Sequence, residues 1–217
     1  MNLLLDDYYQ QLGIYHWQRR RISSLNVSTE TPADWSALQQ RVASCTNCCL
    51  HQTRTQTVFG VGNRSADVMF IGEAPGFHED QEGEPFVGRA GQLLTAMIKT
   101  IGFERSQVYI ANILKCRPPN NRDPQPEEVL SCTPYLDQQI CLIHPKLLIA
   151  VGRIAAHHLL KTKSSLESLR NKVHTYSEKT IPLIVTYHPA YLLRNPIDKK
   201  KAYLDLQFIQ RTIASFS

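Results

Sequence analysis

From Asp67 onward the chain alternates short apolar runs with helix-length stretches, and this alternation constrains the fold more than any other feature. The runs predict strands at 67–71, 108–112, 147–151 and 181–186, with a weaker one at 173–176. Helices are expected at 89–101, 126–143, 152–161 and 198–215. Gly102 is a stop signal for the first helix and Pro126 a start signal for the second. Strands that alternate with helices imply a three-layer α/β/α fold around a mainly parallel sheet. In such open sheets, ligands bind beyond the carboxyl ends of the strands. Four polar stretches fall at predicted strand ends: Gly72-Glu73-Ala74-Pro75-Gly76, Asn112, the Cys116-Arg117-Pro118-Pro119 loop, and His188-Pro189.

With 217 residues, the chain has enough material for one full core and a short appendage. The appendage is expected at residues 1–31, an arm with a helix over 3–17 and a Ser/Thr/Asn-rich linker over 22–31, ahead of a domain at 32–217. Thr31-Pro32-Ala33-Asp34 has the form of a helix start, and that helix is expected to end near Ser44 and deliver Cys45. No apolar run reaches membrane-spanning length, and Asp6 and Asp7 do not fit a secretory leader. The expectation is a cytoplasmic monomer with no membrane association. The formal charge of +5 is a mild excess, but it is grouped in Arg19-Arg20-Arg21, Lys161 with Lys163, and Lys199-Lys200-Lys201. Such groups suit a polyanion.

Six cysteines in a chain without an export signal point to metal ligation rather than disulfides. Cys45-Thr46-Asn47-Cys48 is a C-x2-C pair, and two thiolates at that spacing grip one metal centre. Cys132 and Cys141 lie nine residues apart on one predicted helix. At roughly 100° per residue they face opposite ways and do not serve one centre. The expected ligands are Cys45, Cys48, Cys116 and Cys132, with Cys141 a small core residue and Cys49 a rival to Cys48. Spacing alone does not separate four-cysteine zinc from an iron–sulfur cluster.

The motifs occur together and in order: Gly72-Glu73-Ala74-Pro75-Gly76, Pro85-Phe86-Val87-Gly88, Val108-Tyr109-Ile110-Ala111-Asn112, Lys115-Cys116-Arg117-Pro118-Pro119, and His188-Pro189-Ala190-Tyr191-Leu192-Leu193-Arg194. This ordered set resembles the family 4, iron–sulfur uracil-DNA glycosylases over roughly residues 45–215. The resemblance implies a four-stranded parallel core sheet and a 4Fe-4S cluster on the four chosen cysteines. It also implies excision of uracil from uracil-containing DNA by a monofunctional hydrolase that leaves an abasic site.

Each implied role has a chemical reason. A base inside a duplex is out of reach, so its nucleotide is flipped into a pocket. Phe86 resembles the aromatic on which the family stacks uracil, and stacking accepts any base. Selection needs an edge reader, and the Asn112 amide offers both an acceptor and a donor. Uracil presents a donor at N3 and an acceptor at O4, whereas cytosine presents the reverse. Cleavage of the glycosidic bond builds negative charge on the departing base. His188 resembles the family's donor to uracil O2, where such a donor lowers the barrier. Leu192, or secondarily Leu193, is expected to fill the gap left by the flipped base, with Arg194 on phosphate or shaping the pocket. Ala74 stands where family 1 enzymes carry a water-positioning aspartate in Gly-Gln-Asp-Pro-Tyr. That role falls to Glu73 or Glu79, and Glu79 has a rival role as a fence against thymine's methyl group.

Two other readings remain at this level: a catalytically silent nucleic-acid-binding or replication-associated module with the same fold, and a zinc-stabilised nucleotide-binding domain. The resemblance does not extend to residues 1–30. There, Gln11-Leu12-Gly13-Ile14 with Trp17 is similar to the N-terminal peptide of the clamp-loader psi subunit. This similarity implies that residues 1–22 anchor the enzyme to replicase clamp-loader subunits, with Trp17 as the buried contact.

Overall fold

A computed structural model describes residues 34–176 and 180–215. In chain order these form helix α1 (Trp35–Ala43), strands β1 (Val61–Gly62) and β2 (Val68–Gly72), helices α2 (Phe77–Glu82) and α3 (Arg89–Thr100), and strand β3 (Tyr109–Asn112). Helix α4 (Pro126–Ile143), strand β4 (Leu147–Val151) and helices α5 (Arg153–Leu159) and α6 (Leu166–Leu169) follow. The remainder is β5 (His174–Tyr176), β6 (Ile181–Thr186), α7 (Pro189–Arg194) and α8 (Lys199–Ala214). The expected arm and linker, and the Thr31 cap, lie outside the described residues.

The six strands form one sheet in the order β1-β3-β2-β4-β6-β5. The inner four, β3, β2, β4 and β6, are parallel, as expected. Each outer edge carries a short antiparallel strand, β1 on β3 and β5 on β6. At two residues, β1 is too short to leave a periodic signal in the sequence.

Successive strand residues enter opposite layers, as the pleat requires. Met69, Ile71, Leu148, Ala150, Leu183 and Val185 pack in one core with α1, α4 and α5. Val68, Phe70, Ile149, Val151 and Ile184 pack in the other with α3, α7 and α8. Strands covered on both faces read as continuous apolar runs, which is why the sequence marked them so clearly.

The chain leaves β2 toward β3 on one side and leaves β4 toward β6 on the other. The crevice between the carboxyl ends of β2 and β4 is therefore the topological switch point, where open α/β sheets hold their ligands. Among the described residues, no helix is long and apolar enough to cross a membrane.

Candidate active site

A cleft of about 800 Å3 opens at this switch point. Glu73, Ala74, Glu79, Phe86, Asn112, His188 and Arg194 all line it, although they come from five separate segments. The strand register brings two of these segments together by pairing Gly72 on β2 with Asn112 on β3. A β-carbon on Gly72 would stand 2.4 Å from Asn112 Oδ1 and 2.6 Å from Phe86 Cζ. A β-carbon on Gly152, after β4, would stand 2.8 Å from His188 Cβ. The two missing side chains are what let Phe86, Asn112 and His188 converge.

Asn112 is 2 % exposed, and its Oδ1 is the one buried side-chain nitrogen or oxygen among the described residues without a hydrogen-bond partner. An orphaned acceptor of this kind costs about 1–3 kcal/mol, so it marks a place where a ligand's donor belongs.

Phe86 packs its ring 5.6 Å, centroid to centroid, from the His188 ring at a tilt of 34°. Its φ of 55° is a left-handed backbone that a bulky side chain rarely adopts. Such strain costs about 1–3 kcal/mol and persists only where the surroundings impose it. Glu79 is one such constraint. Its Oε1 accepts from the Val87 and Gly88 amides at 3.1 and 3.4 Å, and its Oε2 accepts from the Gly76 amide at 3.1 Å. Both carboxylate oxygens thus tie the turn after β2 to the segment carrying Phe86.

His188 caps α7, with its Nδ1 accepting from the Ala190 amide at 3.1 Å. This bond puts the ring proton on Nε2. Burial, with help from Arg194, pushes the imidazole down to about 4, against a smaller opposing pull from Glu79. At neutral pH the ring is an uncharged donor. Glu73 shows the opposite shift. Burial, and secondarily Asp123, push its carboxyl up to about 7, with Arg153 opposing. Ala74 lines the same wall with a methyl group and offers no polar side-chain atom.

Leu192 departs from the expected wedge. It is 1 % exposed and belongs to the core formed with Phe86, Leu94 and Tyr187. A side chain sealed in the core does not reach a DNA stack without unpacking it, so the wedge assignment to Leu192 is corrected. Leu193 is half-buried and Arg194 is exposed.

Sequence reading missed Asp198 and gave no cleft position to Tyr191 or Lys201, and all three line the cleft mouth. Tyr191 stacks on Tyr187 at 5.4 Å and 10°, and Arg170 lies over the other ring at 4.5 Å. The four-residue spacing of Tyr187 and Tyr191 ahead of a basic run was the available signal.

The cysteines meet in a second cavity. Cys45, Cys48, Cys116 and Cys132 line it together with Arg54, Lys115 and Tyr135. Cys49 is exposed instead, its Sγ 3.5 Å from Glu128 Oε1, and Cys141 lies outside this cavity. The Arg54 guanidinium donates to Cys116 Sγ at 3.1 Å and the Lys115 amide to Cys132 Sγ at 3.2 Å. Donors to sulfur of this kind stabilise thiolates in metal centres. Burial pushes both thiols up, that of Cys132 to about 11, so a metal has to displace their protons. The four share the cavity without converging to a ready-made metal site, and among the described residues no group of three or more His, Cys, Asp or Glu side chains does. The donor set nevertheless fits a four-thiolate centre.

Comparison with known proteins agrees with this geometry. Residues 59–208 match the uracil DNA glycosylase superfamily. The type-4 uracil-DNA glycosylase of Sulfurisphaera tokodaii is 50% identical over 166 residues, 73% of this chain and 76% of the relative. That of Archaeoglobus fulgidus is 46% identical over 163 residues, covering 72% and 82%. That of Thermotoga maritima is 45% identical over 161 residues, covering 73% and 82%. A cleft at the switch point, built on the five ordered motifs, and a match at this level over most of each chain lead to one conclusion: the chain belongs to the type-4 uracil-DNA glycosylases.

Proposed function

We infer that this protein excises uracil from DNA by hydrolysing the N-glycosidic bond, leaving an abasic site. The observation that carries this reading furthest is the orphaned Oδ1 of Asn112 beside the Phe86 ring. A flipped uracil stacked on Phe86 supplies the missing donor from N3, while the Asn112 amide nitrogen donates to O4. Cytosine would put an unprotonated N3 against the buried acceptor, and leaving that acceptor unanswered is what a hydrogen-bonding site discriminates against most strongly.

As the bond breaks, charge grows on uracil O2. His188 meets it with the Nε2 proton, and its neutral, buried ring is already oriented by the Ala190 amide. A donor that is in place before the reaction needs no reorganisation. Glu73 is the carboxylate assigned to orient the attacking water, since both oxygens of Glu79 are already engaged. Glu79 is a positioning residue that fixes the turn after β2 and the strained backbone of Phe86. Arg194, with Leu193 near it, contacts DNA at the rim.

The second cavity is assigned to a 4Fe-4S cluster on Cys45, Cys48, Cys116 and Cys132. When bound, the cluster supplies a metal–thiolate cross-link between the segment after α1, the loop after β3 and helix α4. Such a centre fits a reducing, cytoplasmic setting and a monomeric enzyme. Residues 1–22, at the head of an arm spanning 1–31, are assigned to anchor the enzyme to clamp-loader subunits. The support for that anchor is the similarity to the psi peptide alone.

Protein purified without oxygen is expected to be brown, with about four irons per chain, and to form abasic sites in an oligonucleotide carrying one uracil. Failure to cleave would sink the activity. A single zinc without sulfide would sink the cluster and leave the activity standing.

A further inference from the structure

We propose that Ile197 is the side chain that enters the base stack of duplex DNA when the uracil nucleotide leaves it. The inference rests on the uracil-excision reading and concerns how that site handles paired DNA. It starts from an anomaly of exposure: Ile197 is 87 % exposed, more than any other large apolar residue described. It sits in a 3-10 turn, Pro196–Asp198, between two groups of residues that line the cleft mouth, Tyr191 with Arg194 before it and Asp198 with Lys201 after it.

This turn is held in place. The Asn195 amide donates to Tyr191 O at 2.8 Å, and the Asp198 amide to Asn195 O at 3.1 Å. The Asp198 carboxylate accepts from the Tyr191 hydroxyl at 2.7 Å and from Lys201 Nζ at 3.1 Å. Tyr191 in turn stacks on Tyr187, which is only 4 % exposed. Pro196 restricts the backbone of the turn itself. An apolar side chain is therefore presented to solvent on a support braced against the core.

The surroundings select the occupant. Arg194, Lys199 and Lys200 are exposed on either side of Ile197, a cationic setting suited to the phosphates that flank a flipped nucleotide. Extrusion of a base leaves an apolar gap between its neighbours, and Ile is among the residues that proteins insert between base steps. Leu192 is sealed in the core and Leu193 is half-buried, whereas Ile197 is free of packing and stands furthest into solvent.

The test is single-turnover excision by Ile197→Ala on matched duplex and single-stranded oligonucleotides carrying one uracil. Only the duplex has a stack to refill, so the duplex rate is expected to fall about tenfold while the single-strand rate stays within about twofold. Ile197→Leu should restore the duplex rate, and the melting midpoint should not move, because the side chain packs against little. Equal loss on both substrates, or no loss on the duplex, would overturn the assignment. Wild-type protein inactive on both oligonucleotides would instead overturn the uracil-excision reading, and this inference with it.

Discussion

Asn112 and Asp205 are both polar side chains shut away from water, at 2 % and 0 % exposure, and they differ in what answers them. Asp205, on α8, receives the Arg170 Nε at 3.0 and 2.9 Å, a second Arg170 nitrogen at 2.8 Å, and the Thr186 hydroxyl at 3.0 Å. Its partners bind α8 to the end of β6 and to the segment after α6. Asn112 ends β3 with its acceptor unanswered. Burial alone does not distinguish a structural polar group from a functional one; the count of its partners does. A satisfied buried group spends its bonds on the fold, whereas an unsatisfied one holds a bond for something that arrives later.

Four substitutions would break or sharpen this contrast. The largest effect is expected at Asp205. Asp205→Ala leaves the buried Arg170 guanidinium with only the exposed Glu167 carboxylate, 3.0 Å away, as counter-charge, and breaking a buried pair costs about 3–5 kcal/mol. Chemical denaturation should show that loss, while excision per folded molecule falls far less than in the cleft variants. A stable Asp205→Ala protein would mean that the network is dispensable.

Asn112→Ala and His188→Ala should behave in the opposite way. On the proposed reading each removes a group whose bond to uracil strengthens as charge develops, so single-turnover excision should drop about 10²–10³-fold. Stability should hold at Asn112, because the lost acceptor had no partner to abandon. Near-wild-type rates in both variants would show that the cleft assignment is wrong.

The smallest effect is a shape rather than a level. Glu73 has its carboxyl raised to about 7, and in the water-positioning role proposed for it only the ionised form works. Excision should therefore rise with pH through about 7 and then level off. His188 contributes nothing to that limb, because its ring, lowered to about 4, is already neutral there. Stability should run the other way over the same window. The folded protein holds the Glu73 proton from its usual 4.5 up to about 7 while the unfolded chain has lost it, so stability falls as pH climbs through that range. Glu73→Gln should flatten both profiles. A rate limb that survives in Glu73→Gln belongs to another group.

What the sequence determined by itself was local or ordered. Strands β2, β3, β4 and β6 and the four longest helices were legible because periodicity and end signals act within a few residues. That Cys45, Cys48, Cys116 and Cys132 would come together in one cavity was legible from the local spacing of the first pair and from the one helix that sends Cys132 and Cys141 opposite ways. The five motifs were legible because their order survives whatever the chain does between them. Tertiary structure decided the rest, since exposure and partner count depend on what distant segments bring. It turned Leu192 into the core, and it left Ile197 standing in solvent on a braced turn. It spent both oxygens of Glu79 on backbone amides, which left Glu73 as the free carboxylate. The Arg170–Asp205 pair spans 35 residues of sequence and carries no local signature, so only the packing of α8 on β6 reveals it. The proton on His188 Nε2 follows from a bond to the Ala190 amide, made where His188 caps α7.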